Sequence, residues 1–373
     1  MEERTDRKLP VGIQSFTEIR KSNYIYVDKT ESIWRLANKS KKYNYLSRPR
    51  RFGKSLLVDT LQAYFEGKKE LFDGLKIMSL EKDWKQHPVI RLDMSRGGST
   101  AENLTSYLNI RFGEYEQVYN INVEPGSKLA DRFDGIIRTA CEKSGQQVVV
   151  LIDEYDSPLQ HSWKTPEHER CTAIYRDVFA ILKADDEYER FVFITGITKF
   201  TQISLFSVLN NLTNISFDGP FAALCGISKE EVTENFMPEL ERMAEKNSWT
   251  LEEALNQLKI RYDGYHFSAD NMVDVFNPFS LINALSDAKL KNYWAASGAT
   301  SMLPKFVDDL EIRLKDFENC PVDGDLLETS DVKYSAELFL YQSGNLTIKD
   351  YQDGIYILGY PNEDVRNTLY NID

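Results

Sequence analysis

Two segments that lie far apart in this chain constrain its fold most strongly. The first is Arg48-Pro-Arg-Arg-Phe-Gly-Lys-Ser55, which follows an apolar, aromatic run and leads into apolar residues at helical spacing. The second is Val148-Val-Val-Leu-Ile-Asp-Glu154, a continuous apolar run that ends in two acidic residues. Together they predict a strand, a phosphate-binding loop and a helix, with carboxylates at the end of a second, buried parallel strand.

The loop segment contains the residue types that bind a polyphosphate. Backbone N–H groups of such a loop, and of the helix that follows it, favour negative charge. A glycine lets the backbone approach the ligand, a lysine reaches the β- and γ-phosphates, and a serine hydroxyl binds Mg²⁺. We therefore predict that ATP binds to Arg50, Arg51, Phe52, Gly53, Lys54, Ser55 and Leu56, with Ser55 also a metal ligand.

The acidic pair supplies the other half of the predicted site. Asp153 is expected to support Mg²⁺, either directly or from the second coordination shell. Glu154 is then placed to orient water for attack on the γ-phosphate, which makes Glu154 and Lys54 the predicted catalytic residues. The pair predicts hydrolysis as well as binding. The loop departs from the full G-x-x-x-x-G-K-S/T pattern, because Arg48 stands where the first glycine is expected.

A further buried strand is predicted at Phe191-Val-Phe-Ile-Thr-Gly-Ile197. Ligands of open α/β sheets bind outside the carboxyl ends of the strands, so Thr195, Thr198 and Lys199 are expected beside the phosphates. Thr198 and Lys199 are candidate γ-phosphate sensors. The alternative, that each is an ordinary polar residue at a strand end, stays open.

Composition excludes several classes of protein. The 373 residues carry a net charge of −13, which argues against a broad surface for nucleic acid. The basic cluster around Arg48 therefore favours a bound triphosphate. Neither the cysteines nor the histidines have zinc-site spacing. The longest aliphatic run, Val148 to Ile152, is too short for a membrane span, and the chain begins without an apolar signal segment, so a cytoplasmic location is expected.

The pattern of elements indicates two domains. Residues 1–226 alternate between strand and helix, as in an α/β, doubly wound parallel sheet of the P-loop NTPase class. Residues 227–373 are predicted to be mostly helical, with helix starts at the capping sequences of Ser228 and Thr250. The turn Asp353-Gly354 predicts a hairpin near the end, which makes this region similar to a winged helix.

Two other groups of residues allow more than one interpretation. The stretch Tyr262-Asp-Gly-Tyr-His-Phe267 could line a base pocket or pair Asp263 with His266, but a tight Asp-Gly turn with buried aromatic side chains explains it better. Tyr26 and Asp28 could border the nucleotide or form a short strand and a helix cap.

Several segments that are rare in combination match one family pattern: Pro10-Val-Gly-Ile13 with Ser15-Phe16, Tyr26-Val-Asp-Lys-Thr30, Ser47 to Ser55, Leu151-Ile-Asp-Glu-Tyr-Asp156, Thr195-Gly-Ile-Thr-Lys-Phe200, Tyr262 to Phe267 and Asn277-Pro-Phe-Ser280. In these segments the chain resembles the AAA-ATPase-like family of bacterial and archaeal proteins, which commonly carry a C-terminal nuclease-like domain of the PD-(D/E)XK superfamily. The resemblance implies an ASCE or AAA-like form of the P-loop fold. In that family an arginine at position 48 is part of the usual loop pattern. The chain departs from the family at two positions, since it has Lys199 where arginine is frequent and Ser157 where lysine is frequent. The resemblance implies that the nuclease-like domain would begin about where this chain stops, so the chain itself is expected to lack nuclease activity.

These residues favour an ATP-binding, Mg²⁺-dependent hydrolase that acts as a motor or switch for a protein partner or a nuclease-like domain. Two alternatives remain open. One is a nucleotide-dependent interaction switch with little turnover, and the other is a DNA-processing regulator whose winged-helix-like region contacts nucleic acid. ATP is preferred over GTP, although the sequence contains no motif that identifies the base. No membrane partner is expected, and a homo-oligomer stays open.

Overall fold

The computed structural model describes residues 7–198, 212–298, 317–329 and 335–370. Contacts within the chain divide it into two compact units. The sheet unit comprises Trp34–Ser47 and Thr60–Ile215, and the helical unit comprises Met1–Ile33, Arg48–Asp59 and Ser216–Asp373. The phosphate-binding loop predicted from the sequence therefore belongs to the helical unit. The predicted boundary between residues 226 and 227 stays a prediction.

The elements of the described residues are the following. The strands are β1 (Tyr43–Ser47), β2 (Val89–Asp93), β3 (Val148–Asp153), β4 (Glu189–Gly196), β5 (Thr213–Asn214), β6 (Cys320–Asp323), β7 (Thr347–Gln352) and β8 (Ile355–Gly359). The α-helices are α1 (Phe16–Lys21), α2 (Thr30–Lys39), α3 (Lys54–Phe65), α4 (Ile77–Leu80), α5 (Ala101–Val118), α6 (Leu129–Ser144), α7 (Ser157–Ser162), α8 (Glu167–Phe179), α9 (Ile181–Ala184), α10 (Lys229–Asn235), α11 (Met237–Asn247), α12 (Leu251–Tyr262), α13 (Pro278–Asp287), α14 (Tyr293–Ala296), α15 (Gly324–Thr329), α16 (Ala336–Gln342) and α17 (Glu363–Tyr370). Short 3₁₀ helices cover Lys69–Phe72, Met94–Gly97, Asp186–Tyr188 and Gly219–Phe221.

The sheet unit is built on a five-stranded sheet in the order β2-β3-β4-β1-β5, and all its strand pairs are parallel. The central strands are buried along almost their whole length, as a parallel sheet covered on both faces requires. Their carboxyl ends lie at one edge, since β1 pairs with β4 up to Ser47 and Gly196, and β2 pairs with β3 up to Asp93 and Asp153. The predicted fold class, an α/β parallel sheet of the P-loop type followed by a mostly helical region, is confirmed.

The buried strands predicted at Val148 to Asp153 and at Phe191 to Ile197 are present as β3 and β4. The short helix α7 follows β3. At the start of α8, Pro166 occupies the N-cap position, and the Thr165 hydroxyl donates to the backbone oxygen of Ser162. A proline there is compatible because the first helical N–H groups have no intrahelical acceptor.

The helical unit has a core formed by apolar residues of α10 to α13, among them Phe236, Leu258 and Leu281. Both predicted capping boxes are present, with Ser228 and Thr250 as the N-cap residues. The hairpin between β7 and β8 turns at Asp353 and Gly354, which both have positive φ, as a type I′ turn requires. With β6 these strands form a small antiparallel sheet. The similarity of this region to a winged helix stays a prediction.

Among the helices of the described ranges, none combines the length and the apolar composition that a bilayer crossing requires.

A cluster of carboxylates is buried where β4 begins, inside the sheet unit. Glu189 is fully buried, and the Tyr43 hydroxyl lies 2.6 Å from its carboxylate. Asp185 is also buried and is paired with Arg138 at 2.8 Å. Burial raises the pKa of Glu189 to about 8 and that of Asp185 to about 6. Ionisation of Glu189 near neutral pH therefore costs the folded protein free energy.

We predict that Glu189→Gln stabilises the protein at pH 8 but not at pH 5. Because the folded-state pKa is raised, the stabilisation by protonated Glu189 is complete below its usual pKa and is lost as the pH rises through about 8. The glutamine oxygen can still accept from Tyr43 without carrying a charge. Thermal unfolding across this pH range should give the variant a gain of about 3 °C at pH 8. The exposed neighbour Glu187→Gln is the control, and equal pH profiles for all three proteins would contradict the assignment.

Candidate functional site

The carboxyl edge of the sheet carries the predicted acidic pair. Asp153 is the last residue of β3 and is 2% exposed. Glu154 follows with φ of 48°, a left-handed backbone conformation that a non-glycine residue rarely adopts. The Tyr155 N–H donates to the backbone oxygen of Thr195, and the Ser157 N–H donates to that of Glu154. The chain therefore turns sharply at Glu154, in a conformation that its neighbours hold in place.

Asp156 fixes the end of the adjacent strand β4, a role that the sequence did not reveal. Its Oδ2 accepts from the N–H of Ile197 at 3.1 Å, the N–H of Thr198 at 2.7 Å and the Thr198 hydroxyl at 2.6 Å. Gln160 also donates to this carboxylate. A side chain at Gly196 would place its Cβ 2.5 Å from Asp156 Oδ1, so glycine is required there. This network joins the turn after β3 to the residues that follow β4.

The predicted γ-phosphate sensors differ in their surroundings. Thr198 is buried, and its hydroxyl is hydrogen-bonded to Asp156 and accepts from Gln160 at 3.0 Å. Lys199 lies outside the described residues. Thr195 is fully buried, and its hydroxyl has no hydrogen-bond partner within the part of the chain that the structure describes. A buried hydroxyl without a partner suits a ligand better than an engaged one. Thr195, which the sequence predicts beside the phosphates but not as a sensor, is therefore a further candidate phosphate contact.

The loop between β1 and α3 has the backbone of a phosphate-binding turn. Arg51 and Gly53 have φ of 67° and 89°, and a Cβ built on Gly53 meets no atom within 4 Å. Lys54 begins α3 and is 5% exposed. Its Nζ donates to the backbone oxygens of Arg48 at 2.9 Å and Pro49 at 2.8 Å, so the loop itself holds the ammonium group.

Arg48 is buried inside the helical unit rather than exposed to a ligand. It is 1% exposed, and its guanidinium donates to the backbone oxygens of Ser216 at 2.8 Å and Phe221 at 3.1 Å. The same group lies 4.2 Å from the ring centroid of Phe267. Burial lowers its pKa. Arg48, which the sequence analysis grouped with the triphosphate-binding cluster, therefore has carbonyl and aromatic partners from its own chain.

The other basic residues of the loop donate to carbonyl oxygens of a second segment of the helical unit. Arg50 Nη1 donates to Gly298 at 2.9 Å, and Arg51 Nε lies 3.5 Å from the oxygen of Ser297. The first turn of α3 contains no acidic residue, which suits an anion at the N-terminus of this helix. A serine hydroxyl at position 55 and the Asp153 carboxylate are oxygen donors of the kind that Mg²⁺ prefers.

The stretch from Tyr262 to Phe267 forms a turn with buried aromatic side chains, as the simpler interpretation predicted. Gly264 has φ of 86°, and a Cβ there would lie 2.4 Å from the backbone oxygen of Pro361. His266 pairs with Asp274, with Nε2 2.7 Å from Oδ1, and not with Asp263. Asp263 is 2% exposed, and burial raises its pKa to about 7.

Asp28 acts as a helix cap. Its Oδ1 accepts from the N–H of Thr30 at 2.9 Å and from the Thr30 hydroxyl at 2.6 Å, at the first residue of α2. Tyr26 is 8% exposed and packs edge-on against Phe16, with ring centroids 5.0 Å apart. These contacts favour the structural interpretation of both residues.

Comparison with known proteins is consistent with this geometry. A family model described as a predicted AAA-ATPase, AAA-ATPase-like, matches residues 10–206, which is more than half of the chain. An uncharacterized protein in the vnfD 5′ region of Azotobacter chroococcum mcd 1 is 34% identical over 372 residues, covering 97% of this chain and 69% of that protein.

Two solved structures align over most of the chain but are only weakly similar. They are the ORC2 protein of Aeropyrum pernix, in ADPNP and ADP complexes, with 12% identity over 92% of this chain and 91% of that one, and Cdc6p of Pyrobaculum aerophilum, with 11% identity over 96% and 92%. Both TM-scores are 0.32, so neither similarity carries an argument. The match to the family model does carry one, since it covers more than half of the chain, and on that basis the chain belongs to the AAA-ATPase-like family.

Proposed function

We propose that this protein is a Mg²⁺-dependent ATP hydrolase of the P-loop class. One observation carries the proposal: the strand that leads into the loop and the strand that ends in Asp153 are parallel members of one sheet, separated only by β4. Their carboxyl ends are therefore at the same edge, which is where nucleotides bind in open α/β sheets. The family match supports the nucleotide class.

The residues of the loop take the binding roles in this proposal. Lys54 binds the β- and γ-phosphates, and backbone N–H groups from Arg50 to Leu56 surround them. Ser55 and Asp153 hold Mg²⁺, which when bound neutralises charge on the phosphate oxygens. Lys54 leaves the carbonyl oxygens of Arg48 and Pro49 for a charged acceptor, an exchange that favours the phosphate.

The catalytic role falls to Glu154. Its strained backbone at φ 48° follows a fully buried strand, and such strain is typical of residues whose side chains must be held for function. Its carboxylate is proposed to orient water toward the γ-phosphate. Thr195, Thr198 and Lys199 are proposed to lie near the terminal phosphate, with Thr195 offering the buried hydroxyl.

The wider role is also a proposal. The hydrolase acts as a motor or switch for a protein partner or a nuclease-like domain, in the cytoplasm, either as a monomer or as a homo-oligomer. ATP is preferred to GTP, and one calorimetric titration of each nucleotide with magnesium tests that preference directly.

We predict that Glu154→Gln retains ATP but hydrolyses it at least about a hundredfold more slowly, because positioned general bases contribute factors of this size. The dissociation constant for ATP should stay within about threefold of the parent value, since the glutamate binds no phosphate. Single-turnover hydrolysis and calorimetry measure the two quantities. Glu142→Gln, an exposed glutamate of α6, is the matched control. Parental turnover by the Glu154 variant at saturating Mg²⁺ and ATP would show that the base is another residue.

We also predict that Asp153→Asn raises the Mg²⁺ concentration needed for half-maximal turnover about tenfold, because the metal loses a carboxylate partner. Initial rates across a magnesium titration measure this effect. Binding of ATP without metal should change little. Asp131→Asn, an exposed aspartate of α6, is the control, and an unchanged magnesium requirement in the Asp153 variant would remove this residue from the metal site.

A second candidate function is a nucleotide-dependent interaction switch with little turnover. It is favoured by the hydrogen bonds that join Arg48 and Arg50 to backbone oxygens far away in sequence, which give the loop a direct contact with residues 216–298. Tightly bound nucleotide with negligible hydrolysis by the parent protein would select this function. A DNA-processing role depends on the winged-helix-like region alone and predicts salt-sensitive DNA binding by the full chain.

A further inference from the structure

Five consecutive residues of the loop, Arg48 to Phe52, each contact residues from the distant C-terminal half of the helical unit. A phosphate-binding loop is ordinarily a turn that its own glycines shape. Here the first glycine of the pattern is replaced by Arg48, and the side chain at that position points away from solvent into packed structure. The loop therefore needs an external support for its shape.

Arg48 supplies the first anchor. Its guanidinium bonds two carbonyl oxygens and stacks on Phe267, so a buried positive charge is stabilised by dipoles and by an aromatic face. Its own backbone oxygen, with that of Pro49, accepts from Lys54 Nζ. The position of the Arg48 side chain thus sets the position of the carbonyl groups that hold the lysine.

Phe52 supplies the second anchor, immediately before the glycine of the loop. It is 1% exposed and packs edge-on against Tyr265 and Phe267, with ring centroids 4.8 and 5.4 Å away. The Tyr265 hydroxyl donates to the backbone oxygen of Gly344 at 3.2 Å. Gly344 has φ of 83°, and a Cβ there would lie 2.6 Å from Pro49 Cβ.

We propose that Arg48 and Phe52 are positioning residues, which couple nucleotide binding at the loop to the packing of the Tyr262–Phe267 turn and the segment near Gly344. The aromatic turn preorganises the loop for phosphate, and by reciprocity a bound nucleotide stabilises the turn. This inference rests on the proposed function, because it requires the loop to bind a nucleotide. It gives the stretch Tyr262 to Phe267 a role distinct from contact with the base.

Phe267→Leu tests the coupling, because it removes the ring that contacts both anchors while keeping an apolar side chain. We expect the dissociation constant for ATP to rise about tenfold. Phe276→Leu is the matched control, since Phe276 is equally buried in the same unit but belongs to the core of α10 to α13. Equal losses of affinity in the two variants, or none in the Phe267 variant, would overturn the proposal.

Arg48→Gly provides a second variant that restores the glycine of the general pattern. If the glycine alone shapes the loop, this variant binds ATP as well as the parent, and the proposal is wrong. If the anchor matters, its affinity falls by about tenfold or more. Lys54→Ala should abolish nucleotide binding in either case. A parent protein that binds no nucleotide would contradict the proposed function. Normal nucleotide binding by both Phe267→Leu and Arg48→Gly would contradict only this inference.

Hydrogen exchange of the parent protein decides the question if these variants fail to fold. A saturating non-hydrolysable ATP analogue should slow amide exchange in residues 262–267 and 340–347, and the analogue should have no such effect on Lys54→Ala. Slower exchange confined to residues 48–56 would overturn the coupling.

Discussion

Burial on both faces of the parallel sheet is the constraint on which the candidate site depends. All six residues of β3 are buried, and the aliphatic run from Val148 to Ile152 leaves no position for a polar group before Asp153. β3 can therefore present a polar side chain only at its end. Since the strands are parallel, their carboxyl ends share one edge, and the acidic residues of the candidate site lie there.

One carboxylate joins the residues that follow β3 to the residues that follow β4. Asp156 accepts from backbone and side-chain groups of the turn after β4, and the N–H of Tyr155 donates to the backbone oxygen of Thr195. Glu154, with its left-handed backbone, lies within this network. The hydrogen bonds of Tyr155 and Ser157 offset the free energy that this backbone conformation costs. A movement of Glu154 would have to break hydrogen bonds at two strand ends, which makes the position of its backbone well defined.

The elements that could be predicted from the sequence have local signals. A continuous aliphatic run ending in two acids predicts β3, and the capping sequences at Ser228 and Thr250 predict helix starts to the residue. The unpredicted features depend on contacts between residues far apart in the chain. Nothing near His266 distinguishes Asp263 from Asp274 as its partner, because the choice is made by the turn at Gly264 and by the pairing of Tyr265 with Val275.

Arg48, within the candidate site, also has partners that are far away in the sequence and could not be predicted from it. From the sequence, an arginine in a basic loop of an acidic protein indicates a phosphate ligand, and only the backbone oxygens of Ser216 and Phe221 reveal that its charge serves the protein itself. The family pattern includes an arginine at position 48, but the pattern does not show what that arginine contacts.

The basic residues of the loop therefore differ in the partners that each would have to give up in order to bind a phosphate. Arg48 is enclosed by two carbonyl groups and a ring, so its release would require repacking of the aromatic turn. Arg50 is partly buried and donates to the backbone oxygen of Gly298, while Lys54 donates to carbonyl groups of the loop. A phosphate oxygen carries negative charge, so exchanging a neutral carbonyl oxygen for it adds a Coulombic attraction to the cationic donor. If the proposed function holds, Arg48 keeps the loop in shape, whereas Arg50 and Lys54 bind the phosphates. A substitution at position 48 should then weaken ATP binding through loop geometry and not through lost charge.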